Sequence, residues 1–228
     1  MRLLQAASTS IGSKILIALT GLGLAAFLIT HLAGNLLFLV GPDAFHQYTH
    51  TLISNPLIVV AELGLIAIFL LHLGKALAGF LANRSARPER YAAKKWAKTK
   101  NPASRKSLAS ATMIVTGTIT LLFVVSHQLT FKYGAYYETP AGIRDLYRLQ
   151  IEIFSNPGYV AFYLVAMSVI FFHLWHGLSS AAQSLGIDHP NWTPRILVLG
   201  RVLTAAIAGG FDHEHVFGVG AGFLDQCA

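Results

Sequence analysis

The sequence predicts an all-α polytopic membrane protein, and three observations support this prediction. Of the 228 residues, 54% are hydrophobic and 12% are charged, whereas a soluble domain carries about 25% charged residues. The mean hydropathy of the chain is +0.55. Four nearly uncharged runs exceed the ~20 residues that a helix needs to cross the hydrocarbon core. We therefore expect one membrane domain over residues 1–228.

Five transmembrane helices are predicted, and residues 212–228 are expected to follow them as a tail. The fifth helix is the shortest and contains Arg201. His213 and His215 have the spacing of metal ligands, but a solvated tail explains them more simply. Cys227 is the sole cysteine, so the chain has no internal disulfide and cannot ligate an iron–sulfur cluster through cysteines. The five helices are expected at about residues 14–40, 56–82, 107–131, 157–186 and 194–211.

Two of the apolar runs share the same outline. SNPLIVVAELGLIAIFLLH at residues 54–72 and SNPGYVAFYLVAMSVIFFH at 155–173 both begin with Ser-Asn-Pro and end in His. Asparagine or serine at a helix start caps free backbone amides, and proline fits the first turn because its missing N–H costs no hydrogen bond. Both segments are therefore predicted to begin a helix at the same membrane face.

A second repeated motif precedes each of these segments. TGLGLAAFLITH at residues 20–31 and TGTITLLFVVSH at 116–127 both start with Thr-Gly and place a His eleven positions after the Thr. The first four helices thus form a predicted internal two-helix repeat, with halves at about 14–82 and 107–186. Because both halves insert in the same direction, the repeat implies a pseudo-twofold axis along the membrane normal.

The distribution of charge predicts the topology. Nine of the 17 Lys and Arg residues lie between positions 84 and 106, whereas the loop at 41–55 has none. The positive-inside rule places the basic loop and the N-terminus in the cytoplasm. This makes the net charge of +7 a topology signal, and no nucleic-acid partner is expected. The predicted location is the bacterial cytoplasmic (inner) membrane.

Four histidines inside the apolar runs fall into two pairs of matched depth. Helix rise places His31 and His127 near the outer face (the outer pair) and His72 and His173 near the inner face (the inner pair), roughly 15–20 Å apart. Imidazoles facing each other across a bundle axis suit bis-histidine ligation of a planar macrocycle. We predict a bundle of the first four helices that holds two haems b. Zinc fits poorly, because no carboxylate or thiol accompanies the histidines.

Further polar residues lie near each level. Lys75 and His176 follow the inner histidines by three positions, so they are candidates for haem propionate contacts, and His176 is also an alternate ligand. Lys75 has the equally good interpretation that it extends to the interface. Candidates for quinone or proton contacts at the outer level also have simpler roles as caps, interfacial aromatics or loop packing. They are Asn35, His46, Tyr48, His50, Glu62, Arg144 and Tyr147.

Four segments, two of which overlap, resemble one family over roughly residues 8–200. They are HLAGN at 31–35, the two Ser-Asn-Pro-to-His segments, and FFHLWHGLSSAAQSLGIDHP at 171–190. They resemble the dihaem cytochrome b membrane subunit of succinate dehydrogenase/fumarate reductase (complex II). Continuation of the chain as DHEHVFGVGAGFLDQCA departs from that family, whose last helix is expected to stay apolar for longer.

The resemblance implies a five-helix anchor for a flavoprotein and an iron–sulfur subunit on the cytoplasmic side. By the family pattern the axial ligands are His31, His72, His127 and His173, and haem iron is the metal bound. Electrons from succinate, a tricarboxylic acid cycle substrate, would pass through the clusters, the inner haem and the outer haem to a quinone, with menaquinone expected. The family also allows a higher oligomer of the whole complex.

Two other functions remain open on the sequence alone. Formate dehydrogenases and hydrogenases also use dihaem cytochrome b anchors, and subunits that co-purify would separate these from complex II. A transporter built on a repeat would show no haem spectrum, and its repeat would more often be inverted. No catalytic residue is predicted, since nothing in the chain resembles a flavin or dicarboxylate site. The resemblance implies that this chain serves its respiratory enzyme as an electron-transfer subunit.

Overall fold

A computed structural model describes residues 9–86, 112–187, 189 and 191–225, the last stretch from 213 onward as backbone only. Within these ranges the regular structure is helical, apart from one isolated bridge between Glu138 and Arg144. The elements in chain order are α1 (Ser10–Asn35), a 3-10 helix (Leu36–Leu39), α2 (Pro42–Ser54), α3 (Leu57–Ser85), α4 (Met113–Phe131), α5 (Leu146–Phe154), α6 (Pro157–Ser184) and α7 (Thr193–Asp225).

Five helices are long and apolar enough to cross a membrane: α1, α3, α4, α6 and α7. This confirms the predicted all-helical, multi-pass class. The predicted spans at α3 and α6 match within a few residues, whereas α1 starts earlier and passes into the 3-10 helix. The predicted beginning of the third span, at 107–111, lies outside the described residues.

The last helix continues beyond its predicted end. The apolar span of α7 covers Thr193–Asp212, but the helix runs on to Asp225 through residues expected to form a tail. No proline follows Pro194, and the sequence becomes apolar again at 216–224, so nothing interrupts the backbone hydrogen bonds. The side chains of His213 and His215 and the whole of Cys227 lie outside the described residues.

The Ser-Asn-Pro segments begin helices as predicted. The side-chain oxygen of Asn156 accepts a hydrogen bond from the amide of Gly158 at 2.8 Å, at the start of α6. That of Asn55 accepts from the amide of Leu57 at 2.9 Å, at the start of α3. Each asparagine satisfies one of the free amides of the first turn. The two helices therefore start with the same cap.

Two short helices, α2 and α5, occupy the segments that the sequence indicated only as outer loops. Gly41 has a φ of 135°, which favours glycine, and Pro42 follows it as the first residue of α2. Across from α2, Tyr147 of α5 stacks on Phe38 with ring centroids 4.4 Å apart. Phe38 also contacts Phe45 of α2 edge to face. These aromatic contacts fix the two outer helices against the end of α1.

Helix α6 lies at the centre of the packing. It contacts α1, α4 and α7, while α3 packs mainly against α1. The buried core gathers where α4 to α7 meet, around Phe154, Tyr163 and Ile207. Helix α3, in contrast, has no buried residue. A lipid-facing or partner-facing position suits such a helix, because its apolar side chains need not be shielded by the rest of the chain.

Asp145 joins the two outer helices. Its Oδ1 accepts a hydrogen bond from the amide of Arg148 at 2.8 Å and so caps α5. The same oxygen lies 2.9 Å from Nε2 of His46 on α2. Burial opposes ionisation of this carboxyl, but the Arg148 amide and the His46 ring stabilise its charged form, and the pKa of Asp145 is lowered.

Asp145→Ala should therefore lower the free energy of unfolding by about 1–2 kcal/mol, the usual cost of losing an N-cap. Asp145→Asn should cost less, because its amide oxygen keeps the cap. Since the folded-state pKa lies below the unfolded one, the contribution of the charge is present above about pH 4 and lost as pH falls through the folded-state pKa. Thermal unfolding in detergent at pH 7 and at acid pH measures this. Equal midpoints for Ala and wild type at pH 7 contradict the role of Asp145.

Candidate functional site

His72 of α3 is held by a threonine of α1. The Nδ1 atom of His72 lies 3.0 Å from Oγ1 of Thr20. The hydroxyl of Thr20 donates its own proton to a backbone carbonyl of its helix, that of Leu16 at 2.6 Å. Oγ1 is therefore the acceptor for the histidine, and Nδ1 carries the proton. The neutral ring is left with an unprotonated Nε2, which is the form that binds a metal.

The same arrangement holds His173 of α6. Its Nδ1 lies 3.2 Å from Oγ1 of Thr116 on α4. The Thr116 hydroxyl in turn donates to the carbonyl of Thr112 at 3.1 Å. By the same reasoning His173 is protonated on Nδ1 and free on Nε2. Both members of the predicted inner pair thus present an available ring nitrogen.

A glycine follows each of these threonines and lies against the same histidine ring. A Cβ added to Gly21 would lie 3.1 Å from Cε1 of His72, and one added to Gly117 would lie 3.2 Å from Cε1 of His173. A side chain at either position would push the ring away and lengthen the hydrogen bond. In the sequence the Thr-Gly motif is visible only as a repeat, and these contacts give it a role in positioning the inner pair.

The outer pair is in direct ring contact. The centroids of His31 and His127 are 5.8 Å apart, and the ring planes are at 88°. His127 lies with its Nδ1 3.3 Å from the hydroxyl of Tyr163. Phe27 stacks on His31 with centroids 5.3 Å apart, and Phe211 of α7 reaches the same ring at 5.9 Å. The outer pair is therefore enclosed by aromatic side chains.

These separations and donor sets suit iron bound between imidazoles. Two imidazoles that share one metal at ~2 Å per nitrogen have ring centres roughly 6 Å apart, and the outer pair is at 5.8 Å. His72 and His173 are each positioned by a threonine of the neighbouring helix. For the inner pair the fit rests on the two matched threonine supports, which fix the tautomer that iron requires.

The two levels are separated along α6. Tyr163, which contacts His127, and His173 lie ten residues apart on this helix. A rise of 1.5 Å per residue makes that about 15 Å. Lys75 and His176 each follow an inner histidine by three residues on α3 and α6, so they lie one turn nearer the predicted cytoplasmic side. His176 is partly buried there.

Most of the outer candidates are occupied by contacts within the chain. Asn35 donates its side-chain amide to the carbonyl of His31 at 2.9 Å. Arg144 donates to the carbonyls of Phe131 at 2.8 Å and Lys132 at 3.2 Å and so caps α4. Glu62 of α3 pairs with Lys132 at the end of α4. The contacts of Arg144 and Glu62 hold the end of α4, whereas that of Asn35 stays within α1.

The remaining candidates are in the aromatic layer of the outer helices or exposed on it. Tyr48 lies so close to Gly34 that no Cβ fits at that position. His46 binds Asp145, and its ring also meets that of Tyr147 with centroids 6.1 Å apart. His50 is exposed. Among the described residues, no three or more His, Cys, Asp and Glu side chains come together as a conventional metal site.

Thr20→Val should convert His72 from a single neutral tautomer to a mixture of the two. Valine keeps the size of threonine but removes the acceptor, at a cost of about 1 kcal/mol of net hydrogen-bond energy. In the chain without added cofactor, ¹⁵N resonances should report His72 as the Nδ1–H form in wild type and as a mixture in the variant. Thr118→Val is the matched control, because the Thr118 hydroxyl bonds only a carbonyl of its own helix, at 2.8 Å from the Ile114 oxygen. An unchanged tautomer in Thr20→Val contradicts the assignment.

The chain has no detected similarity to a protein of known function. No protein-family model, no curated protein and no solved structure matches the chain. The function of the chain is therefore inferred from the motifs of its sequence and from the contacts of its four membrane-embedded histidines.

Proposed function

We propose that this protein is the membrane-anchor, electron-transfer subunit of a succinate dehydrogenase/fumarate reductase, and that it holds two haems b. The observation that carries the proposal is the pair of matched supports in which a threonine fixes the tautomer of an inner histidine, Thr20 for His72 and Thr116 for His173. The two supports come from corresponding positions of the proposed repeat halves.

The proposed ligands are His72 with His173 at the inner level and His31 with His127 at the outer level. When bound, each haem would carry one electron through the change between ferrous and ferric iron. The protein orients the four imidazoles and surrounds the outer pair with aromatic side chains that exclude water. A protein sets the reduction potential of such a centre by lowering the local polarity and by fixing the axial ligands.

The spacing of about 15 Å between the levels supports transfer of electrons along the bundle. On the proposed topology the inner level faces the cytoplasm, where a flavoprotein and an iron–sulfur subunit would dock on the anchor. The chain itself has no flavin or dicarboxylate site to propose, so it acts as the electron-transfer part of a succinate:quinone oxidoreductase. The acceptor is a quinone of the bacterial cytoplasmic membrane, with menaquinone expected.

A reduced-minus-oxidised spectrum with pyridine haemochrome quantitation should give two haems b per chain. His31→Ala and His127→Ala should each remove the same spectral component, because one haem cannot be held by a single axial histidine as firmly as by two. The double variant should lose no more than either single one. His72→Ala and His173→Ala should both remove the other component.

His50→Ala serves as the control, because His50 is an exposed histidine of α2 and should leave both components intact. One haem or none per chain would contradict the proposal. So would the loss of different spectral components in the two His→Ala variants of one pair. Purification under mild detergent tests the partners. Formate dehydrogenase or hydrogenase subunits in place of the flavoprotein and iron–sulfur subunits would keep the haems but change the enzyme.

A further inference from the structure

A groove runs between α6 and α7 beside the histidine levels. Its volume is about 290 Å³, and its walls include Ser168, Phe171 and Phe172 from α6 with Gly209 and Asp212 from α7. This is close to the lower limit of the ~300–1,000 Å³ typical of small-molecule sites. Phe172 and Gly209 are exposed, so the groove opens at the side of the helix bundle. A ligand would reach it from within the membrane.

One end of the groove carries a carboxylate with an unused oxygen. Oδ1 of Asp212 is buried and has no hydrogen-bond partner. A buried polar atom without a partner costs roughly 1–3 kcal/mol, and a carboxyl group within a membrane span usually marks a functional site. Arg144 is the other described residue with such an atom, but its guanidinium already caps α4. Asp212 has no comparable structural role.

Residues of the groove are close in the chain to residues that contact the outer pair. Phe211, the neighbour of Asp212, contacts the ring of His31 with centroids 5.9 Å apart. On α6, Ser168 is midway between Tyr163, which contacts His127, and His173 of the inner pair. A molecule in the groove would therefore lie beside the carboxyl of Asp212 and the rings of Phe171 and Phe172, at a depth between the two histidine levels.

We propose that this groove binds the ring of the membrane quinone, an inference that rests on the proposed function and locates its acceptor. A carboxyl group can donate a hydrogen bond to a quinone carbonyl when protonated and accept one from a hydroquinone hydroxyl when ionised. Phe171 and Phe172 supply an apolar wall for the ring. An acyl chain would leave Oδ1 of Asp212 unpaired, and an anionic lipid phosphate would be repelled by it.

The test measures the Kd of 2-methyl-1,4-naphthoquinone for the full-length haem-loaded protein in detergent, by equilibrium dialysis. Asp212→Leu removes the hydrogen bond and should raise Kd about tenfold, the equivalent of roughly 1.4 kcal/mol. Asp212→Asn keeps a hydrogen-bonding group and should raise Kd less. Gly209→Leu should also weaken binding about tenfold by filling the groove, since a Cβ at Gly209 meets no atom within 4 Å.

Gly64→Leu is the matched control for the filling variant. Gly64 lies on α3, is exposed, and has the same empty surroundings. The Kd of the naphthoquinone for Gly64→Leu should therefore equal that for wild type. Recording the haem spectrum of every sample separates the two proposals. Two haems together with an unchanged Kd in Asp212→Leu and Gly209→Leu overturn the groove site alone, as does a wild type that fails to bind the naphthoquinone. Absence of haem from wild type overturns the proposed function. Weaker binding of the naphthoquinone by Asp212→Leu and Gly209→Leu would still support the quinone site in the groove.

Discussion

The hydrogen bond from a histidine ring to a threonine of the neighbouring helix is the interaction on which the candidate site depends. A threonine hydroxyl has one proton, and Thr20 and Thr116 each donate it to a carbonyl of their own helix. Their oxygens are then acceptors only for the ring Nδ1–H. In an apolar surrounding an unpaired ring nitrogen is costly, so this bond strongly favours one ring orientation and one tautomer.

Close approach of the helices makes that bond possible. Gly21 and Gly117 leave room for the histidine rings where any side chain would crowd them. Small residues play this part widely in membrane proteins, because helices in lipid gain little from hydrophobic burial and depend on close packing. At the other end of the bundle, the pair of Glu62 and Lys132 joins α3 to α4. Packing at depth and charge at the outer face thus position the same helices.

The outer level combines enclosure on one side with access on another. Helices α2 and α5 cover the outer end, where Tyr147 of α5 stacks on Phe38 of the 3-10 helix. Asp145 holds α2 and α5 together. The groove between α6 and α7 instead opens at the side of the bundle. On the proposed function, water would be kept from the outer histidines while a lipid-soluble quinone could approach through the membrane.

The sequence by itself determined the helical membrane class, the helix starts at Asn55 and Asn156, and the four histidines with their matched spacing. These depend on composition, helix rise and local caps, which need no knowledge of distant neighbours. The tertiary structure decided which partners those residues meet. Thr20 lies 52 positions from His72 in the chain, and the spacing of the motifs carried no sign that the two side chains touch.

Contacts between residues far apart in the chain also decide the roles of polar residues near the outer face and on the last helix. The sequence offers Arg144 as a ligand contact, but folding brings its guanidinium to the carbonyl of Phe131 at the end of α4. The sequence predicts a tail from Asp212 onward, because polar residues follow Phe211. Instead α7 continues, and the carboxyl of Asp212 lies at the groove. Helix rise fixes the depth of a side chain in the membrane, whereas only the packing of one helix on another decides whether a polar atom meets a partner on a different helix.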